Sequence, residues 1–119
     1  MGKIVYGALL PHPPLAIPEI GKGEEKGIGA TLAGFKQVAH EMKANNPDVL
    51  VIITPHGPVF SDAVAINMLP DLQGDFSQFG VPGVKIQIPN QLDLVELIMR
   101  YEISQGITMA ALDEDLIRE

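Results

Sequence analysis

Two uninterrupted apolar runs constrain the fold of this chain more than any other feature of its sequence. Residues 4–10 and residues 49–53 carry no charged side chain and are rich in residues that favour strands. A run without polar alternation is typical of a strand that is covered on both faces of a sheet. Between the two runs, apolar residues recur at three- and four-residue steps over residues 28–42, which predicts an amphipathic helix. Strand, helix and strand in this order predict a βαβ unit with parallel strands and a right-handed crossover.

The ends of the helices are marked by residues that cap or terminate them. We expect Thr31 to cap the first helix, and Asn45-Asn46-Pro47 to end it, because asparagine tolerates the left-handed exit and proline cannot continue a helix. Asn90 is expected to cap a second helix over residues 92–104, which Gly106 ends. Helices of this length alternating with strands are typical of an α/β protein.

Weaker patterns predict the remaining strands. A third strand is expected over residues 63–69, and residues 84–88 alternate apolar with polar side chains as a half-exposed strand does. Residues 71–83 are interpreted as a polar, glycine-containing excursion, and residues 108–112 as the start of another strand. The acidic residues 113–119 are expected to form a frayed end.

Length and charge restrict the class of protein. A chain of 119 residues is enough for one domain, which we expect to cover residues 1–119. Eight basic residues against 15 acidic ones give a formal net charge of −7, which argues against nucleic acid and anionic membrane as partners. The amino terminus lacks a signal-peptide pattern, and no apolar stretch approaches the roughly 20 residues that span a bilayer, so we expect a cytoplasmic protein.

The two apolar runs end in the same way, and this repeated Pro-His motif contains the candidate functional residues. Leu10-Pro11-His12-Pro13 follows the first run, and Thr54-Pro55-His56-Gly57 follows the second. Ligands of open α/β sheets bind outside the carboxyl ends of the strands, where parallel neighbours lie about 4.8 Å apart. The chain has no cysteine, so any metal must use imidazole and oxygen ligands. The pattern predicts His12 and His56 as metal ligands, while a role as ordinary surface or core histidines stays open.

Other polar residues carry weaker hypotheses. His40 lies in the first helix without a proline neighbour and is interpreted as an ordinary helix residue. Asp62 and Glu19 could supply a carboxylate ligand, although both are also ordinary loop acids. The glycine-rich segment 21–27 fails as a nucleotide cradle, because Lys26 stands where the third glycine of the dinucleotide fingerprint belongs. No organic cofactor is therefore expected.

Longer stretches around these motifs resemble the class III extradiol ring-cleavage dioxygenases, in the fold of their catalytic B subunit (LigB-like). The specific pieces are Leu-Pro-His-Pro-Pro at residues 10–14 and Pro-His-Gly at residues 55–57. Residues 17–25 and residues 74–80 support them, and the likeness runs in order along most of the chain.

The resemblance implies a fold, a metal and a reaction. The family fold is a three-layer α/β sandwich around a central mixed, largely parallel sheet, of which this chain would be the amino-terminal half. Family members hold a non-haem Fe(II) on two histidines and one glutamate, and His12 and His56 match the histidines by motif; zinc or another divalent metal is the alternative. The implied substrates are a small aromatic diol and O₂. No histidine follows His56, so the later catalytic histidine and the glutamate ligand have no counterpart here, and the catalytic residues stay unknown.

Several functions stay open on the sequence alone. The first is an extradiol dioxygenase, incomplete as this chain and completed by another chain. The second is a Memo-like metal-binding or assembly module of the same fold without turnover. A folded fragment without function and a metallohydrolase on the same histidines are further alternatives. Half of a sheet would leave an unpaired edge and an uncovered apolar face, so we expect a homo-oligomer or association with a completing chain.

Overall fold

The computed structural model describes residues 2–114, which contain both helices and strands. The α-helices are α1 (Pro18–Gly21), α2 (Gly29–Asn45) and α3 (Leu92–Ser104), and the strands are β1 (Val64–Asn67), β2 (Asp71–Phe76), β3 (Val81–Pro89) and β4 (Met109–Leu112). Short 3-10 helices cover Pro14–Ala16, Glu24–Ile28 and Ser77–Phe79. One pair of strands is parallel, and the predicted α/β class is confirmed. The last residues of the predicted acidic end, 115–119, lie outside the described part.

The described residues form two compact units. Within residues 2–114, unit 1 consists of residues 2–50 and 75–84, and unit 2 consists of residues 51–74 and 85–114. The prediction of a single domain over residues 1–119 stays a prediction.

Helix α2 is the main element of unit 1, and the apolar periodicity located it correctly. The side chains of Leu32, Phe35, Val38 and Met42 are half-buried along one face. The helix ends as expected, because Asn46 adopts the left-handed conformation with φ 47° and its amide donates to the Lys43 carbonyl at 3.1 Å. The prediction of Thr31 as the cap was wrong. The helix already begins at Gly29, so Thr31 lies inside its first turn.

Unit 2 is built around the parallel pair of β1 and β4. The register pairs Val64 with Met109 and Asn67 with Leu112, and α3 packs against both strands. The buried apolar side chains are Val95 on α3, which is 8% exposed, and Leu112 on β4, which is 7% exposed. The predicted βαβ unit with strands at residues 4–10 and 49–53 was therefore wrong: the parallel strands are β1 and β4, and β2, β3 and α3 lie between them in the chain.

Asn90 has a different role from the predicted helix cap. Gln91 occupies the cap position of α3, and no side chain caps the helix. Asn90 Nδ2 instead donates to the carbonyl oxygens of Asn67 at 2.8 Å and Leu69 at 2.9 Å, and its backbone amide donates to Pro70 O at 2.8 Å. The side chain thus joins the end of β1 to the chain entering α3.

The prediction of a polar excursion over residues 71–83 was also wrong, because these residues contribute to two strands. Strands β2 and β3 pair with each other and are joined by the 3-10 turn Ser77–Phe79. Gly80 follows the turn with φ 79°, a left-handed conformation that favours glycine. The rings of Phe76 and Phe79 lie 6.1 Å apart between centroids. Polar side chains obscured β2 because both of its faces are largely exposed.

The largest difference between the prediction and the structure concerns the two apolar runs, which were predicted as strands covered on both faces. Residues 4–10 and 49–53 belong to no strand of the part of the chain that the structure describes. Their side chains are mostly exposed, and Leu9 and Ile53 reach 100% and 95% exposure. An apolar run predicts a preference for extended, buried backbone, but a strand also needs a neighbour that supplies hydrogen bonds. The sequence of the run alone does not determine whether such a neighbouring strand is present. Across residues 2–114 there is also no helix with the length and apolar character that a membrane span requires.

Candidate metal centre

His12 lies in unit 1 between two prolines, immediately before a rigid turn. It does not follow a paired strand, contrary to the prediction, and its side chain is exposed. Pro13 is extended, with φ −72° and ψ 126°, and its carbonyl accepts the amide of Ala16 at 3.0 Å. This turn packs against α1 and against the 3-10 helix Glu24–Ile28. The backbone on the carboxyl side of His12 is therefore fixed.

His56 lies in unit 2, in a stretch without helix or strand that precedes β1. Its side chain is exposed, and its backbone amide donates to Thr54 Oγ1 at 3.2 Å. Gly57 follows with φ 93°, which a glycine adopts without steric cost. Here the turn predicted from Thr-Pro-His-Gly is present, while the strand before it is not.

The described residues offer only part of a metal site. Within residues 2–114, no three or more side chains of histidine, cysteine, aspartate and glutamate form a group that could hold an ion. Glu19 lies on α1 and Asp62 precedes β1, and both are exposed. The chain supplies imidazoles of the right chemistry for a divalent metal. It does not supply a complete set of three ligands from this part of the chain, and the roles of His12 and His56 stay predictions.

One polar contact of unit 1 joins the segment before His12 to helix α2. Tyr6 donates its phenolic O–H to Glu41 Oε2 at 2.6 Å, and Gln37 Nε2 donates to Glu41 Oε1 at 3.2 Å. The bond to Glu41 raises the pKa of Tyr6. The same bond is the main cause that lowers the pKa of Glu41, and the bond from Gln37 and the charge of His40 add to it.

Sequence reasoning missed this contact. The two residues are 35 positions apart, and neither belongs to a recognisable motif. The available signal was that Tyr6 is the one side chain with a polar tip in an otherwise apolar run. His40, next to Glu41 on α2, is exposed, as expected for an ordinary helix residue.

The glycine-rich segment contains a backbone amide that binds a carboxylate of the same chain. Lys22 and Gly23 adopt left-handed conformations with φ 50° and 102°, and Gly23 N donates to Glu25 Oε2 at 2.7 Å. The contact is local and exposed, and it closes the turn that leads into the 3-10 helix Glu24–Ile28.

Comparison with known proteins agrees with the motifs. A family model described as the catalytic LigB subunit of aromatic ring-opening dioxygenase matches residues 6–116 and so includes both His12 and His56. The chain is also 37% identical over 98 residues to Protein CA_C1420 of Clostridium acetobutylicum. That alignment covers 82% of this chain but 20% of the relative, so the chain spans about a fifth of that protein's length. No solved structure matches. The chain belongs to the family of catalytic LigB subunits of aromatic ring-opening dioxygenases.

Proposed function

We propose that this chain contributes the two-histidine half of the metal centre in an Fe(II)-dependent extradiol dioxygenase. The observation that carries the proposal is the family match over residues 6–116, which includes the Pro-His motifs of His12 and His56. The substrate is a small aromatic ring with two adjacent hydroxyl groups, and the reaction opens the ring beside them with both atoms of O₂.

The chemistry of the donor set supports iron. His12 and His56 would hold the ion through their imidazoles, which suit iron together with a carboxylate ligand. When bound, the ferrous ion would bring the diol and O₂ together and let electrons pass between them. The residues of this chain present the imidazoles: prolines flank His12, and the turn at Thr54 holds the backbone of His56. Further ligands are left to groups outside residues 2–114, a second chain among them.

The exposed apolar surface supports association with another chain. Leu9 in unit 1 and Ile53 in unit 2 are almost fully exposed, and the other residues of both apolar runs are exposed too, apart from the half-buried Tyr6. Exposed runs of this kind are expected where a protein meets a partner. We therefore propose that the active species is a homo-oligomer or a complex with a completing chain.

Oxygen consumption tests the proposal. The Fe(II)-loaded protein is mixed anaerobically with a panel of catechols, and O₂ uptake is followed after air is admitted. We expect uptake with at least one catechol, loss of the aromatic absorbance and, with ¹⁸O₂, both labelled atoms in the ring-opened product. His12→Ala and His56→Ala should abolish uptake, whereas His40→Ala should not.

The Memo-like alternative predicts a different result. Tight binding of metal that depends on both histidines, without O₂ uptake across the panel, would favour a metal-binding or assembly module. Uptake that survives both histidine substitutions would contradict the proposed site.

A further inference from the structure

Helix α3 has more apolar surface than the strands of its own unit cover. Eight of its 13 residues are apolar, and the helix packs against β1 and β4 with Val95 buried. Leu97 and Tyr101 lie one turn apart on the side away from Val95, and they are 55% and 63% exposed. A helix that is apolar on more than one face is typical of a helix with a second neighbour.

The exposed apolar residues form a continuous line along α3. Leu94, Leu97 and Tyr101 follow one another at steps of three and four residues, which places them above one another on the helix. Leu94 is half-buried, and the other two are exposed. This spacing is that of the seam between two packed helices, so this apolar stripe (Leu94, Leu97 and Tyr101) is suited to contact with another helix.

Charged side chains flank the apolar stripe and are ordered by sign. Asp93 and Arg100 are both exposed, and their spacing of seven residues places them on the same flank, with the acid in the first turn. In an antiparallel pair of two such helices the equivalent flanks meet, so Asp93 comes close to Arg100 of the partner subunit. A parallel pair would place these flanks on opposite sides of the seam. The charges therefore make this surface complementary to itself in the antiparallel orientation.

We propose that α3 is the contact surface of a homodimer, in which the apolar stripes of two copies pack antiparallel and Asp93 pairs with Arg100 of the partner subunit. A net charge of −7 opposes association of two copies, and the two ion pairs offset part of that repulsion. The inference narrows the association proposed above to a second copy and to one helix, and it depends neither on the metal centre nor on the apolar runs.

Sedimentation equilibrium of the full chain tests the proposal without metal. The apolar stripe spans two helical turns, so the interface is small, and the protein is studied from about 1 µM to 1 mM, the range of weak dissociation constants. We expect a reversible equilibrium between monomer and dimer. Leu97→Ala should weaken the dimer by about 10-fold or more, because it removes a central side chain of the seam from both copies.

Reversal of the charges tests the antiparallel orientation. Asp93→Arg and Arg100→Asp should each weaken the dimer by about 10-fold, because each places like charges opposite one another. The double variant should return to within about 3-fold of the wild type, because the ion pairs form again with opposite polarity. Its charges also oppose the dipole of α3, so a mere loss of helix stability would make the double variant the weakest of the three.

Glu96→Arg is the matched control for Asp93→Arg. Glu96 is an exposed acid of the same helix, and the substitution changes the net charge of the chain by the same amount. It lies three residues after Asp93 and further around the helix from the apolar stripe, so the control should associate like the wild type. Circular dichroism of each variant shows whether the helices are retained.

The outcomes separate this inference from the proposed function. A monomer at every concentration would overturn the inference. Association that is unchanged in Leu97→Ala and in the single reversals would also overturn it, and so would a double variant that is no tighter than the single ones. Because no metal enters these measurements, a monomer that still consumes O₂ with a catechol would leave the proposed metal chemistry in place.

Discussion

Removing the side-chain donors of Asn90 should lower the free energy of unfolding of unit 2 more than a substitution at an exposed surface position does. Asn90 Nδ2 donates to the carbonyls of Asn67 and Leu69 in a partly buried site, where β1 ends and the chain enters α3. A hydrogen bond of this kind contributes about 1 kcal/mol to the free energy of unfolding, so Asn90→Ala should cost about 2 kcal/mol. That is a large share of the stability of a small protein.

The isosteric Asn90→Asp change should cost more, about 3 kcal/mol at neutral pH. It keeps the shape of the side chain but removes both donors and places carboxylate oxygens against two carbonyl oxygens. Those neighbours disfavour the charged form and raise the pKa of the introduced carboxyl in the folded state above its unfolded value. The penalty is therefore present at neutral pH and should shrink as the pH falls through the raised pKa, because a protonated carboxyl regains a donor.

Urea denaturation followed by circular dichroism at 222 nm measures these changes. Asn45→Ala is the matched control: Asn45 Nδ2 also donates to a carbonyl, that of Glu41 at 2.8 Å, but in an exposed position on α2. It should change the free energy of unfolding by less than about 0.5 kcal/mol. Equal effects of Asn90→Ala and Asn45→Ala, or an Asn90→Asp penalty that does not depend on pH, would refute the reasoning.

Four further predictions follow from packing and charge. Gly21→Ala should lower the free energy of unfolding by about 2 kcal/mol in the same denaturation, because a Cβ would collide with the Leu15 carbonyl and lie 2.6 Å from a carboxylate oxygen of Glu25. Gly34→Ala should instead stabilise α2 by about 0.5–1 kcal/mol, because nothing lies within 4 Å of the new Cβ. Val95→Ala should cost about 2 kcal/mol, since it removes two methyl groups from the buried face of α3. The lowered pKa of Glu41 means that its bond to Tyr6 stabilises the fold above the unfolded pKa and is lost as the pH falls through the folded value, so the melting temperature of Tyr6→Phe should fall less on acidification than that of the wild type.

Local patterns in the sequence predicted the two long helices well, whereas the short α1 was not predicted. The apolar steps over residues 28–42 and 92–104 correspond to α2 and α3, because a helix forms all of its backbone bonds within one segment. The strands β1, β3 and β4 were also located, although their partners were not.

Elements that depend on distant partners could not be predicted in this way. Residues 4–10 and 49–53 have the composition of central strands, but composition does not supply the neighbouring strand that defines one. The bond between Tyr6 and Glu41 joins residues 35 positions apart and follows from the packing of unit 1. By contrast, the Pro-His motifs were recognised from the sequence, because they depend on residue chemistry and spacing.

Anaerobic titration of Fe(II) into the purified chain tests the central claim most directly. Wild type, His12→Ala, His56→Ala and the control His40→Ala are compared by isothermal calorimetry. The account predicts that the wild type and His40→Ala bind alike, and that His12→Ala and His56→Ala each lose more affinity than the ~10–100-fold of an outer-shell change. Equal binding by all four proteins, or no binding by any of them, would contradict the claim that His12 and His56 hold the metal.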